Sequence, residues 1–287
     1  MKNITFIRLL VIVHLNFIIT IPARCSTIAQ SHEKYVIGTW RGAGLCVNFN
    51  SVLNHIGWCE DNNRTPVVYW DHVSPYYVSQ GFNGSDNVWE YYFEPVSHLA
   101  YESEDIIHRY HPDGRWAFNY FAIDPINRSN AHYFISKYIK IKPIVQAKID
   151  HFYQQYMTDR NTIGIHLRGT DKKTEEKLVS PETMINTALK YADSNTQFLI
   201  ASDDQRLLDK MIQLLPKHKV IYYDCYRSEN DKPLHEPYRK PSFAQLGEDV
   251  LVEVSLLAKC TRLIHTYSNV SATILYFNPT MPNVLVR

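Results

Sequence analysis

Residues 163–172 read IGIHLRGTDK, a short apolar run that leads directly into His166, Arg168, Asp171 and Lys172. A guanidinium makes paired, charge-assisted hydrogen bonds to phosphate through its planar fork. If the apolar run is a strand, Arg168 stands at its carboxyl end and projects into a cleft, and Gly169 lets the backbone turn. Asp171 and Lys172 would orient that loop through ion pairs. The competing reading is a capped turn with a surface ion pair, which stabilises little.

Three further stretches carry polar groups at the ends of apolar runs. FLIASDDQRLL (198–208) places Ser202, Asp203 and Asp204 before a helix-like segment. Either these residues cap the helix, or a carboxylate accepts hydrogen bonds from a base, a ribose or a loop. Two carboxylates also suit Mg²⁺, but adjacent aspartates point in different directions, so no metal is expected. In GEDVLVEVSLLAKC (247–260), Val250, Leu251, Val254, Leu257 and Ala258 form one helical stripe. Glu253 sits at the edge of that stripe, where a lone carboxylate is costly unless paired. It either reaches out to solvent or holds the nucleotide or the phosphate-binding arginine. LIHTYSNVSATI (263–274) puts Ser268, Asn269 and Ser271 at a helix start, where free N–H groups and hydroxyls bind phosphate. RGAGLC (41–46) offers the same device, with Gly42 and Gly44 allowing close backbone approach to a ligand.

The elements that must position these residues alternate in type. Strands are expected at 163–167, 197–201, 219–224 and 262–266. Helices are expected at 181–191, capped by Ser180 with Pro181 in the first position, and at 205–215, 247–260 and 269–277. Such alternation predicts a parallel sheet covered on both faces, with ligands beyond the carboxyl ends of its strands. The first half reads as a looser unit of the same kind. Strands are expected at 34–40 and 65–70 around a helix at 45–60, and a long helical stretch over 131–156 is interrupted or restarted at Pro143. Residues 71–130 hold many aromatics and turn signals without clear period. The chain therefore divides into one unit over 30–157 and a second over 158–287.

The 287 residues carry 30 Lys and Arg against 29 Asp and Glu, a net charge of +1, so no bulk field recruits nucleic acid. An anionic ligand must be held by a local cluster. The 20 tyrosines, 12 phenylalanines and five tryptophans mostly belong in a core, although aromatic faces also suit sugars. The basic start at Lys2 and Arg8, the apolar run from Leu9 to Ile21 and the break at Pro22 resemble a secretory signal peptide over 1–25. A membrane anchor through residues 9–22 is the alternative. Both readings place the chain in the secretory pathway, in a periplasm or outside the cell. Cys25, Cys46, Cys59, Cys225 and Cys260 show no zinc-binding spacing, and the last four allow three pairings or none. Asn-x-Ser/Thr occurs at Asn3, Asn63, Asn83, Asn127 and Asn269, a short motif that often arises by chance.

Taken together, His166-Leu-Arg168-Gly-Thr170-Asp171-Lys172, the Ser-Asp203-Asp204 strand end, Glu253 on its helix and Ser268-Asn-x-Ser271 resemble the fucosyltransferase superfamily. The pattern is similar to the core α1,6-fucosyltransferases and the bacterial nodulation fucosyltransferases, whose first motif reads HxRRTDK. The likeness covers roughly residues 160–280. It implies a GT-B fold, two Rossmann-like units with mainly parallel sheets and a cleft between them. It also implies GDP-fucose as donor, a glycan or glycoprotein as acceptor, inversion at the anomeric carbon, and neither metal nor cofactor. Arg168 would hold the β-phosphate and stabilise its developing charge. Asp203 or Asp204 and Glu253 would surround guanosine and the arginine, and Ser268 would touch phosphate. Gly169 stands where the motif has its second arginine, so the resemblance does not carry an α1,6 linkage. The same scaffold with another nucleotide sugar, or a non-catalytic sugar- or nucleotide-binding protein, are the rival readings.

Overall fold

A computed structural model of the chain describes residues 33–110, 112–169, 179–215, 218–228 and 242–287. The N-terminal segment, Asp171 and Lys172 lie outside the described residues.

Two parallel sheets organise the chain. The first has the order β2-β1-β3, from β1 (Lys34–Ile37), β2 (Thr65–Val68) and the two-residue β3 (Ile107–His108). The second has the order β6-β5-β4-β7-β8, from β4 (Asn161–His166), β5 (Thr196–Ala201), β6 (Lys219–Ile221), β7 (Arg262–His265) and β8 (Asn283–Leu285). All its pairings are parallel, with Ile165 opposite both Ile200 and Ile264. All six residues of β5 are buried, as expected for a strand covered on both faces. β8 was not foreseen, because three residues after Pro282 carry no readable period.

Seven α-helices stand among the described residues: α1 (Leu45–Asp61), α2 (Pro125–Tyr138), α3 (Pro143–Tyr156), α4 (Pro181–Leu189), α5 (Gln205–Gln213), α6 (Phe243–Leu257) and α7 (Asn269–Phe277). The stretch expected as one long helical region is two helices, each with proline at its first position. α2 begins earlier than expected because Asp124 caps it, accepting from the N–H groups of Ile126 and Asn127. α6 also starts earlier, where Ser242 Oγ accepts from Gln245 N at 3.3 Å. Ser180 caps α4 as expected, accepting from Thr183 N at 3.2 Å.

α1 and α2 pack on α7, and α3 packs on α6. One apolar core therefore runs from Ile37 and Val68 of the first sheet to Leu199 and Leu263 of the second. A second cluster lies on the other face of the larger sheet, under α4 and α5, around Ile163, Ile200, Met184 and Leu208. No helix among the described residues is long and apolar enough to cross a membrane. Cys46, Cys59 and Cys260 are buried free thiols and Cys225 is a half-buried one, so none of the three pairings forms.

Candidate functional site

β4 delivers His166, Leu167 and Arg168 to its carboxyl end. There a cavity of about 150 Å³ opens between the two sheets. Of the residues singled out in the sequence, Gly44, His166, Arg168, Asp203, Glu253 and Asn269 line it. Its volume is below the several hundred Å³ of sites that enclose a whole small ligand, so it forms the closed floor of a site.

Two helix starts point at this floor. Gly44, Leu45, Cys46 and Val47 come from the first turn of α1, and Asn269 and Val270 from the first turn of α7. Each brings unpaired N–H groups and the positive end of a helix dipole. α1 has Gly44 as N-cap and no capping side chain of its own. Instead Tyr76 Oη, from the other side of the cavity, accepts from Leu45 N at 2.8 Å. The 40–44 turn is braced by Asn48, whose Oδ1 accepts from Trp40 N at 2.7 Å and whose Nδ2 donates to Ala43 O at 2.9 Å. Gly42 has a φ of 73° there, which explains the glycine. Gly42 therefore shapes the turn and does not line the cavity.

Arg168 faces these groups. Burial pushes the Cys46 thiol up to about 12, and the Arg168 charge pulls it the other way. The same balance, with the Leu45 N–H as a further lowering influence, acts on Tyr76, whose hydroxyl is also raised by burial. Arg168 thus exerts its field on the start of α1. A guanidinium and two helix N-termini around one cavity make a site for a polyanion of diphosphate type.

Beneath α7 the polar groups hold one another. Ser268 Oγ accepts from Ser271 N at 3.0 Å and donates to Ser271 Oγ at 3.0 Å. Ser271 Oγ donates to Thr266 O at 3.0 Å and lies 2.9 Å from His166 Nδ1. Since Ser271 has one hydroxyl proton, Nδ1 is the donor to it. Ser268 and Ser271 are buried and orient His166 and the helix start. They were expected to touch phosphate, but their hydroxyls are engaged by the helix cap and do not line the cavity. Asn269 Oδ1 accepts from Asn50 Nδ2 of α1 at 3.2 Å, a direct tie between the halves.

The aspartates divide their work. Asp203 Oδ1 accepts from Gly169 N at 2.7 Å and so fixes the loop after Arg168. Asp204 caps α5 through Arg206 N at 2.9 Å and pairs with the Arg206 guanidinium at 2.6 Å. Expected alongside Asp203 as a donor-binding carboxylate, Asp204 does not line the cavity, because as the cap of α5 its carboxylate is taken up by the Arg206 N–H and guanidinium.

Glu253 does hold an arginine, but that arginine is Arg227, which the sequence did not mark. Arg227 is 5% exposed. It donates to Glu253 Oε1 at 2.8 Å, to the carbonyls of Tyr223 (2.8 Å) and Cys225 (3.1 Å), and to Ser202 O at 3.1 Å. Burial lifts the Glu253 carboxyl to about 7 in spite of Arg227. Asp249, one helical turn earlier and also on the cavity, is lifted by burial to about 6. Tyr76, Asp249 and Arg227 are the residues that sequence reasoning missed. Their only signal, a tyrosine, an acid and a cation in polar surroundings, is too common to single them out.

A transfer to an acceptor hydroxyl needs a base, for which the sequence offers Asp71, Glu90, Glu94 and His166; Asp71 forms a two-pronged pair with Arg109 at 3.0 and 2.5 Å. Burial raises its carboxyl, but Arg109 outweighs burial and holds it below the ordinary range. Glu90 accepts from Ser85 Oγ and Asn87 Nδ2 at 3.1 and 3.0 Å. Glu94 accepts from Trp89 Nε1 through its backbone carbonyl. Among the described residues no three His, Cys, Asp or Glu side chains gather as a metal-binding group.

With this geometry in place, solved structures give the comparison. NodZ α1,6-fucosyltransferase co-crystallised with GDP is similar over 89% of this chain and 96% of its own, with a TM-score of 0.57 and 17% identity. The fold is GT-B. A NodZ structure from Bradyrhizobium gives the same TM-score and identity over 95% of its length. POFUT1 in complex with GDP-fucose is similar over 88% of this chain and 97% of its own, at 0.51 and 8%. An Arabidopsis thaliana FUT1 mutant in complex with GDP matches over 86% of this chain and 70% of its own, at 0.51 and 11%. No protein-family model matches the chain, and no curated protein does.

Proposed function

We propose that the chain is an inverting, metal-independent glycosyltransferase that moves fucose from GDP-fucose onto a glycan or protein acceptor. The observation that carries this reading is the convergence of Arg168 with the starts of α1 and α7 on one cavity of a GT-B fold. GDP and GDP-fucose are the ligands of the fucosyltransferases that share the fold. An acceptor hydroxyl attacks the anomeric carbon and loses its proton to a base. The bond to the β-phosphate oxygen breaks, and GDP leaves carrying the negative charge. Arg168 and the two helix starts are preorganised for that charge, the group of effects that contributes most in such transfers.

A second reading, another nucleotide sugar on the same scaffold, draws support from Gly169. A Cβ at this position would lie 2.4 Å from Leu207 Cδ1 and 3.0 Å from Asp204 Cβ. The second arginine of the fucosyltransferase motif therefore fits only if the Leu207 side chain turns aside and Asp204 gives slightly. A melting-temperature screen with GDP, UDP, ADP and CMP decides between the donors. Ligand at 100 times its Kd adds about 2.7 kcal/mol of stability. GDP should give this shift with EDTA present. A shift with UDP alone ends the fucose reading, and loss of turnover in chelator ends the metal-free one. Export through the N-terminal segment belongs to the same proposal. Intact mass should show a mature chain beginning shortly after residues 23–29, and a soluble product retaining Met1 would exclude cleavage.

A further inference from the structure

Outside the cavity, one surface feature is a group of rings. Phe121 is 66% exposed. Its ring centroid lies 4.1 Å from that of Tyr120 and 5.8 Å from that of Tyr267. Arg287 covers the Tyr267 ring at 5.2 Å and donates to its hydroxyl at 2.7 Å. Tyr267 and Arg287 follow β7 and β8 at their carboxyl ends, the edge of the sheet where the cavity opens. Tyr267 immediately precedes Ser268, the cap of α7, and lies two positions before Asn269 on the cavity wall.

The loop that presents these rings is held by buried polar groups. Asn54 of α1 is 3% exposed, and its Oδ1 accepts from Phe118 N at 2.6 Å. Tyr276 Oη of α7 sits 2.9 Å from Asn119 O and 3.0 Å from Ala122 O, donating to this carbonyl pair. Asn119 Oδ1 accepts from Phe121 N at 2.8 Å. A loop fixed by these bonds would ordinarily turn its phenylalanine inward, because burying that ring is favourable. Here it is turned outward.

We propose that Tyr120, Phe121 and Tyr267 form a platform for a pyranose ring of the acceptor, with Arg287 and the Tyr267 hydroxyl bonding the sugar's hydroxyls. A pyranose has one apolar C–H face and a rim of hydroxyls. A ring surface with polar groups at its edge matches both. A rigid loop binds without the cost of ordering it. The platform stands at the same sheet edge as the cavity, so a chain stacked on it can direct its end toward the donor. This assignment rests on the glycosyltransferase reading for its acceptor role, but its binding test does not require donor.

The test is saturation-transfer NMR on the full-length chain with maltotriose, cellotriose, lactose and chitotriose, each without nucleotide. At least one should show transfer to its ring protons. Phe121→Ser should weaken that sugar's binding by about tenfold, equivalent to about 1.4 kcal/mol, and Phe121→Tyr should restore it. With GDP-fucose present, Phe121→Ser should raise KM for the acceptor by a similar factor, with kcat little changed. GDP affinity of each variant, read separately, monitors folding of the donor site. If no sugar in the panel binds, or if binding ignores Phe121→Ser, the platform is refuted. If sedimentation shows a dimer that Phe121→Ser dissociates, the rings join two copies and the assignment is also refuted. If GDP does not bind but sugar binds through Phe121, the donor reading falls and the platform stands.

Discussion

Around the three-stranded sheet the core is made of rings, with Trp70, Trp89, Tyr91, Tyr92 and Phe93 all buried. The five-stranded sheet is packed instead with Ile163, Ile165, Ile200, Leu263 and Ile264. Their contributions to the cavity differ in the same way. The first half supplies the backbone of 44–47 and the Tyr76 hydroxyl, and the second supplies His166, Arg168, Asp203, Asp249 and Glu253. Much of the first half is irregular, and its backbone is held by side chains. Asn87, for instance, accepts from Trp70 N and donates to Val68 O, both at 2.9 Å. The second half has its ladder, and the charge stands at its strand ends, where Asp203 and Arg227 also bind backbone groups of the adjoining loops. The first half brings a helix start and a hydroxyl, and the second brings the charged side chains with a helix start of its own.

The sharpest way to break this comparison is Arg227→Ala. The substitution takes the buried Arg227 guanidinium from the half-buried Glu253 carboxyl and from three carbonyls. Removing one member of a buried ion pair costs about 3–5 kcal/mol. Urea denaturation should show a loss of that order. A loss of under about 1 kcal/mol, the range of surface pairs, would mean that the charged half is not built around this pair.

Next in size is Arg168. Arg168→Lys keeps the charge and loses the fork, and should slow transfer roughly ten- to a hundredfold, one charge-assisted hydrogen bond being worth about 1.5–3 kcal/mol. Arg168→Ala should slow it further. Melting temperatures should stay near that of the parent, because Arg168 faces the cavity. Near-normal turnover in Arg168→Ala would assign the charge work elsewhere.

The pH dependence of stability separates the halves more gently. Burial raises Glu253 from 4.5 to about 7 against Arg227, and Asp249 from 3.8 to about 6. Both folded values exceed the unfolded ones, so folding takes up protons. The contribution is complete below the unfolded values and is lost as pH rises through the folded ones. The ligand-free protein should therefore lose melting temperature between about pH 5 and pH 7.5. Asp249→Asn with Glu253→Gln should flatten that slope. An unchanged slope in the double variant would place its cause in other groups.

The smallest expected effect comes from the aromatic half. Tyr76→Phe removes the acceptor that caps Leu45 N. The loss of a helix cap is typically about 1 kcal/mol. A modest drop in melting temperature with weaker GDP binding is expected. A large fall in turnover would give Tyr76 chemistry that this comparison denies it.

What the sequence determined by itself is whatever is decided between near neighbours. Strand and helix alternation, the cap at Ser180 and the position of Arg168 after an apolar run were all legible. Each depends on side-chain period or on a bond across three or four residues. The start of α2 was legible in principle as well, since Asp124 precedes Pro125, but the surrounding aromatics masked its period. Tertiary structure alone decided which aspartate faces the cavity, which arginine meets Glu253, and that Tyr76 caps α1. Arg227 is 26 residues from Glu253 and Tyr76 is 31 from Leu45. Their meeting depends on the order of strands in a sheet and the packing of helices upon it, and no local period records either.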